Sequence, residues 1–120
     1  MDLGEVIATY CAAWSEADPE KRRAMLAGTV SPDVIYVDPT VSVSGASALS
    51  DHIEGVIAAR PGATLEVTSR VDRHHRFARF GWRMIRADGS AMADSVDFVE
   101  INEDGRLKRI VGFFGALESE

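Results

Sequence analysis

The sequence is poor in several features that would each indicate a particular class of protein. It has a single cysteine, Cys11, so no disulfide can form within the chain, which fits a reducing compartment. No apolar run reaches the roughly 18 residues that span a membrane. The first residues also lack the basic and apolar regions of a secretory signal. We therefore expect a cytoplasmic protein with no membrane partner.

Positive charge is scarce as well. Lysine and arginine number 13 against 19 acidic residues, giving a formal net charge of −6, and such a chain lacks the basic surface that nucleic acids require. No phosphate loop, dinucleotide fingerprint or zinc-ligand spacing occurs. His74 and His75 should point to opposite sides of a strand, or lie in a turn, and so should not share a metal ion. We expect no nucleic acid, no metal and no cofactor.

The remaining composition is that of an ordinary globular protein, with one domain expected over residues 1–120. Helical spacing of apolar residues marks a first helix over residues 3–14. Asp18 predicts an N-cap before a second helix over about residues 19–27. Ser47 is the expected N-cap of a third helix, which residues 60–62 end.

Alternating apolar residues then predict a series of strands. The expected strands cover residues 34–37, 41–45, 65–71, 78–84, 95–101 and 107–114. Turns are expected at residues 87–90, which contain an Asp-Gly pair, and at 102–105. Helices followed by such strands predict an α+β fold, with the helices on one face of the sheet.

The last strands carry apolar residues on both faces. Val96 and Phe98 lie opposite Val99 and Ile101 in the alternation, whereas a sheet with one face in water should alternate more cleanly. The simplest cover for the second face is another copy of the chain. We expect a homodimer formed through the outer face of the sheet.

Three polar residues interrupt otherwise apolar faces, and each has two interpretations. Tyr10 is either a core tyrosine or a hydrogen-bond donor aimed into a pocket. Asp38, before Pro39, is either a turn residue or a general base. Asp97 shares its face with core residues, so it is either ion-paired with an arginine or a functional carboxyl group.

Other candidate residues would line a pocket around these groups. His52, on the third helix, is either a surface residue or an acid–base group at the pocket rim. Cys11 is better explained as a small buried residue than as a nucleophile. The apolar walls, and with His52 the expected substrate-binding residues, would be Trp14, Trp82, Met84 and Phe114.

Taken in order, several short motifs resemble one protein superfamily. They are residues 10–14, 17–19, 36–39, Gly45, residues 97–98 and residues 105–107. The chain resembles the SnoaL-like and ketosteroid-isomerase-like branch of the nuclear-transport-factor-2-like superfamily. The resemblance implies a cone-shaped, curved antiparallel or mixed sheet with three helices packed on its concave face, a cystatin-like α+β roll.

The resemblance also implies catalytic roles. In ketosteroid isomerases a tyrosine and a protonated aspartic acid stabilise an enolate, and a second aspartate moves the proton. By position these roles would fall on Tyr10, Asp97 and Asp38. The implied activity is cofactor-free proton transfer on a small apolar carbonyl compound, by an isomerase or a SnoaL-like cyclase.

Other functions remain open on the sequence alone. Relatives similar to limonene-epoxide hydrolase use an Asp-Arg-Asp group, for which Asp72, Arg73 and Arg83 are the available residues. A non-catalytic module that binds a hydrophobic metabolite is a second alternative, and it would tie Asp97 to an arginine. A dimerisation or interaction domain is a third, and it would have a filled interior.

Overall fold

Residues 1–119, which the computed structural model describes, form three helices and seven strands. In chain order they are α1 (Leu3–Ala13), α2 (Pro19–Thr29), β1 (Val30–Asp38), β2 (Val41–Ser44), α3 (Ala46–Ala59), β3 (Thr64–Val67), β4 (Asp72–His74), β5 (Phe77–Ile85), β6 (Ser95–Ile101) and β7 (Leu107–Phe114). The predicted α+β class is confirmed. None of these helices is long and apolar enough to cross a membrane.

Side-chain caps begin the first two helices. Asp2 accepts a hydrogen bond from the Glu5 amide at 2.9 Å, and Asp18 accepts one from the Glu20 amide at 3.0 Å. Each cap satisfies an amide that has no partner within its helix. Pro19 occupies the first turn of α2, as predicted.

The expected cap of the third helix was wrong. The N-cap of α3 is Gly45, not Ser47, and no side chain caps this helix. Gly45 has a φ of 97°, a conformation that glycine adopts without steric cost. Its amide donates to the Val34 carbonyl at 2.7 Å. The chain therefore passes from β2 into α3 through Gly45, which has no side chain that could cap the helix.

The sheet is mixed and has the order β2-β1-β7-β6-β5-β3, with β4 also paired to β5. β1 and β7 are parallel, and the other pairs are antiparallel. The register sets Asp97 of β6 opposite Gly112 of β7, and Tyr36 of β1 beside Ile110 of β7. Paired residues share a face, so these side chains lie on the side of the sheet that the helices cover.

Three strands differ from the prediction, and one of them, β4, was not predicted at all. β1 begins at Val30, because the register shift between Val30 and Ile35 lets the strand include Pro32. The strand expected over residues 65–71 leaves the sheet after Val67. At that point the Gly81 amide of β5 donates its hydrogen bond to the Ser69 hydroxyl at 2.8 Å, and not to a backbone carbonyl of β3.

The helices are tied together by a buried arginine. Arg22 of α2 is 1% exposed. Its guanidinium donates to the Ser50 hydroxyl at 3.1 Å, to the Glu16 carbonyl at 2.9 Å and to the Glu54 carboxylate at 3.3 Å. These bonds compensate for the loss of water around the charge, and they fix α3 against the end of α1.

Of the two arrangements expected for the adjacent histidines, the structure has the turn. His74 ends β4, but His75 lies in a turn with a φ of 53°. Their Nδ1 atoms are therefore 3.1 Å apart, which corresponds to the turn arrangement and not to rings on opposite sides of a strand. Over residues 1–119, no group of three or more potential metal ligands comes together.

Candidate functional site

A cavity of about 260 Å³ lies between the helices and the sheet. Its walls come from the C-terminal end of α1, from α3, from five strands and from the loops beside them, and most of them are apolar. The lining residues are Trp14, Tyr36, Asp38, Thr40, His52, Val56, Arg60, Leu65, Trp82, Met84, Met92, Ala93, Ser95, Asp97, Phe114 and Gly115. An apolar cavity with a few polar groups is the usual form of a small-molecule site.

Asp38 is held at the end of β1 as an ionised carboxylate. Its Oδ2 accepts a hydrogen bond from the Tyr36 hydroxyl at 2.5 Å, and its Oδ1 accepts the amide and the hydroxyl of Thr40, each at 2.7 Å. Burial acts to raise the pKa of Asp38, but these bonds outweigh it and lower the pKa below the usual value. Asp38 is therefore available as a proton acceptor at neutral pH.

Asp97 has the opposite environment. Asp97 is only 6% exposed. Within residues 1–119, the only hydrogen bond that its side chain receives comes from the Trp82 indole, at 2.9 Å to Oδ1. Burial raises the pKa of Asp97 to about 7, with the Trp82 bond opposing and the charge of Asp38 adding to the effect. At neutral pH and below, Asp97 can carry a proton on its second oxygen.

Gly112 separates the two carboxyl groups. A Cβ atom on Gly112 would lie 2.9 Å from Oδ1 of Asp97 and 3.5 Å from Cβ of Asp38. Asp38, Gly112 and Asp97 thus form a row across β1, β7 and β6, with the two outer Cα atoms about 10 Å apart at ordinary strand spacing. Because Gly112 has no side chain, the Asp97 carboxyl group can lie over it without a steric clash.

Aromatic rings form the walls beside these acids. The ring centroid of Trp14 lies 5.3 Å from that of Tyr36 and 5.9 Å from that of His52. On the other side, Trp82 and Phe114 meet edge to face at 5.9 Å. The five residues expected to bind substrate, Trp14, His52, Trp82, Met84 and Phe114, all line the cavity.

Tyr10 does not line the cavity. Its residue is 1% exposed, and its hydroxyl has no hydrogen-bond partner among residues 1–119. Burial raises the pKa of Tyr10 far above its usual value, and the nearby Asp97 charge adds to this. One turn further along α1, Trp14 reaches the cavity instead. Cys11 is buried beside Tyr10, and burial likewise raises the pKa of its thiol.

Sequence reasoning missed several residues of the site. Tyr36 lies two residues before Asp38 in a strand, so period-two alternation already places both on one face. An isolated glycine within a strand, such as Gly112, often marks a close approach. Arg60 and Met92 lie in segments whose position relative to the sheet no local pattern predicts.

Fold and site together define a ligand-binding protein built on a curved α+β roll. A family model described as a SnoaL-like domain matches residues 7–110. The chain belongs to the SnoaL-like family. No curated protein matches it.

Solved structures support the same conclusion. A proposed isomerase of the SnoaL-like family from Agrobacterium tumefaciens is 34% identical, covers 93% of this chain and 96% of its own, and has a TM-score of 0.87. A protein with a cystatin-like fold from Methylobium petroleophilum is 18% identical, with 98% and 78% coverage and a TM-score of 0.76. A protein with a ketosteroid-isomerase-like fold from Catenulispora acidiphila, in complex with trimethylamine, is 12% identical, with 92% and 85% coverage and a TM-score of 0.74. The resemblance and the predicted roll are confirmed.

Proposed function

We propose that the protein is a cofactor-independent enzyme that moves a proton on an apolar carbonyl compound, as an isomerase or a cyclase does. The observation that carries the proposal is the pair of carboxyl groups in one apolar cavity whose pKa values are shifted in opposite directions, Asp38 downward and Asp97 to about 7. Such a pair assigns a base and an acid within one site. The SnoaL-like relative described as a proposed isomerase supports the same reaction class.

The chemistry divides between the two acids. The Asp38 carboxylate removes a proton from the carbon next to the carbonyl, and the electrons of that C–H bond form the enolate double bond. The protonated Oδ2 of Asp97 donates a hydrogen bond to the carbonyl oxygen, where negative charge develops. Asp38 then returns the proton to a different carbon. Because Tyr10 lies outside the cavity lining, we assign the donor role to Asp97.

The alternative of a non-catalytic binding module required Asp97 to be paired with an arginine. Among residues 1–119, the hydrogen-bond partner of Asp97 is the Trp82 indole, and no arginine forms an ion pair with it. An open cavity also disfavours a filled interaction domain. These observations favour the enzyme.

Hydrogen–deuterium exchange tests the proposed reaction without knowledge of the natural substrate. We expect the protein to accelerate exchange of the protons next to the carbonyl in apolar aryl ketones dissolved in D₂O, followed by proton NMR. The rate should fall as the pH rises through about 7, because Asp97 then loses its proton. No acceleration over buffer for any ketone that binds in the cavity would contradict the proposal.

We further propose that the protein acts as a homodimer joined through the outer sheet face. Val96 and Phe113 pair directly across β6 and β7 on that face and are 42% and 63% exposed. Phe98 stacks on Phe77 at 5.7 Å beside them. Sedimentation should give a dimer at micromolar concentration and a monomer for Phe113→Glu. A monomeric wild-type protein would contradict this. We retain the cytoplasm as its expected location.

A further inference from the structure

Arg60 lines the apolar cavity, yet the proposed proton transfer does not use it. It is the C-cap residue of α3. Arg60 is exposed and, like several other arginines within residues 1–119, forms no ion pair with an acidic side chain. Among the arginines of these residues, it is the one that lines the cavity. Arg60 thus brings a cation to the edge of the cavity, with no acidic side chain of residues 1–119 paired to it.

The position of Arg60 is fixed by its helix. His52, Val56 and Arg60 are spaced four residues apart on α3, and all three line the cavity. At 1.5 Å per residue, the first and the last lie about 12 Å apart along the helix. The His52 ring is 6.0 Å from the ring of Tyr36, whose hydroxyl binds Asp38. Arg60 therefore lies at the end of the cavity away from Asp38.

The sheet order agrees with this arrangement. Leu65, which follows Arg60 closely in the chain, lies on β3 and pairs with Met84 of β5. Asp38 lies on β1, and β7, β6 and β5 separate β1 from β3. The cavity consequently has its proton acceptor at one end, Asp97 of β6 between the ends, and a cation at the other end, with apolar walls along its length.

We propose that the ligand is an apolar carbonyl compound with a carboxylate group about 10 Å from its reacting carbons, slightly less than the distance of about 12 Å between His52 and Arg60 along α3, and that Arg60 binds this carboxylate. The planar guanidinium matches a carboxylate with two parallel hydrogen bonds. The ionised Asp38 in the same cavity disfavours a doubly charged phosphate. The inference rests on the proposed function, because it names the substrate class of that site.

The test compares two probes that differ only in charge, 4′-acetylbiphenyl-4-carboxylate and the corresponding neutral carboxamide. Calorimetric titration at about pH 6 should show the carboxylate binding about fivefold more tightly, the effect of a partly solvated ion pair. Arg60→Gln should abolish the preference and leave the carboxamide affinity unchanged. Arg70→Gln is the matched control, because Arg70 is exposed and outside the cavity.

Each other outcome has a definite meaning. If the carboxamide binds and the carboxylate binds no more tightly, the inference fails and the proposed function stands. If neither probe binds, the inference fails, and the proposed function is decided by the exchange experiment with other ketones. If Arg70→Gln removes the preference equally, the effect is one of net charge and the inference is wrong. If Arg60→Gln only lowers the melting temperature, Arg60 merely stabilises the end of α3, which also overturns it.

Discussion

Replacing Asp97 by asparagine should stabilise the protein above pH 7 while impairing its function. The folded state holds the Asp97 proton up to a pH of about 7, whereas the unfolded chain releases it near 3.8. Between these values the wild-type protein loses stability as the pH rises, because folding then requires the Asp97 carboxylate to take up a proton from an increasingly dilute supply. One pKa unit corresponds to about 1.4 kcal/mol, so the free energy of unfolding should fall by roughly 4 kcal/mol.

The asparagine side chain of this variant does not ionise, and its oxygen can still accept the hydrogen bond from the Trp82 indole. Urea unfolding at pH 5 and pH 8 should therefore show Asp97→Asn gaining stability over wild type at the higher pH. Asp94→Asn, at an exposed position three residues earlier, should follow the wild-type pH dependence. If Asp97→Asn and wild type change in parallel, Asp97 is ionised throughout and cannot act as the donor.

Replacing Asp38 by asparagine should slow ketone proton exchange by about 10² to 10⁴-fold, the usual contribution of a positioned general base. The amide oxygen is far less basic than the carboxylate. The one oxygen of the asparagine side chain can still accept from the amide and the hydroxyl of Thr40, and its NH2 group can donate to the Tyr36 hydroxyl oxygen, so the fold and ligand affinity should change little. The exchange rate with a bound aryl ketone, measured by NMR, checks this expectation.

Asp33→Asn supplies the matched control for this experiment. Asp33 lies on the same strand and is exposed, so its replacement removes the same charge without touching the cavity. Its exchange rate should equal that of wild type. Retained exchange in Asp38→Asn would assign the base to another group, of which His52 is the nearest candidate in the cavity lining.

Local patterns predicted the fold class and most of the elements. Apolar spacing in α1, the Asp18 cap of α2 and the alternation in β5 to β7 each depend on residues close in sequence, which is where periodicity carries information. The errors lie where distant segments decide. β3 ends at Val67 because Ser69 bonds to Gly81 of another strand, and Gly45 is the N-cap of α3 because its amide bonds to β1.

The candidate site was predicted less completely than the fold. Asp38 and Asp97 stood out because each interrupts an apolar face, and the resemblance implied a role for both. Which tyrosine reaches the cavity depends on how α1 packs against β1, and no spacing within either element contains that information. The same limit applies to Arg60, because its role depends on how far α3 extends along the cavity.

The central claim is that one cavity holds an ionised Asp38 and a protonated Asp97 near neutral pH. Carbon-13 NMR titration of the aspartate side-chain carboxyl groups tests it most directly, with assignments from the two asparagine variants. We expect Asp97 to titrate near pH 7 and Asp38 below its usual value of 3.8. If Asp97 instead titrates near pH 4, the acid–base pair does not exist and the proposed proton transfer is contradicted.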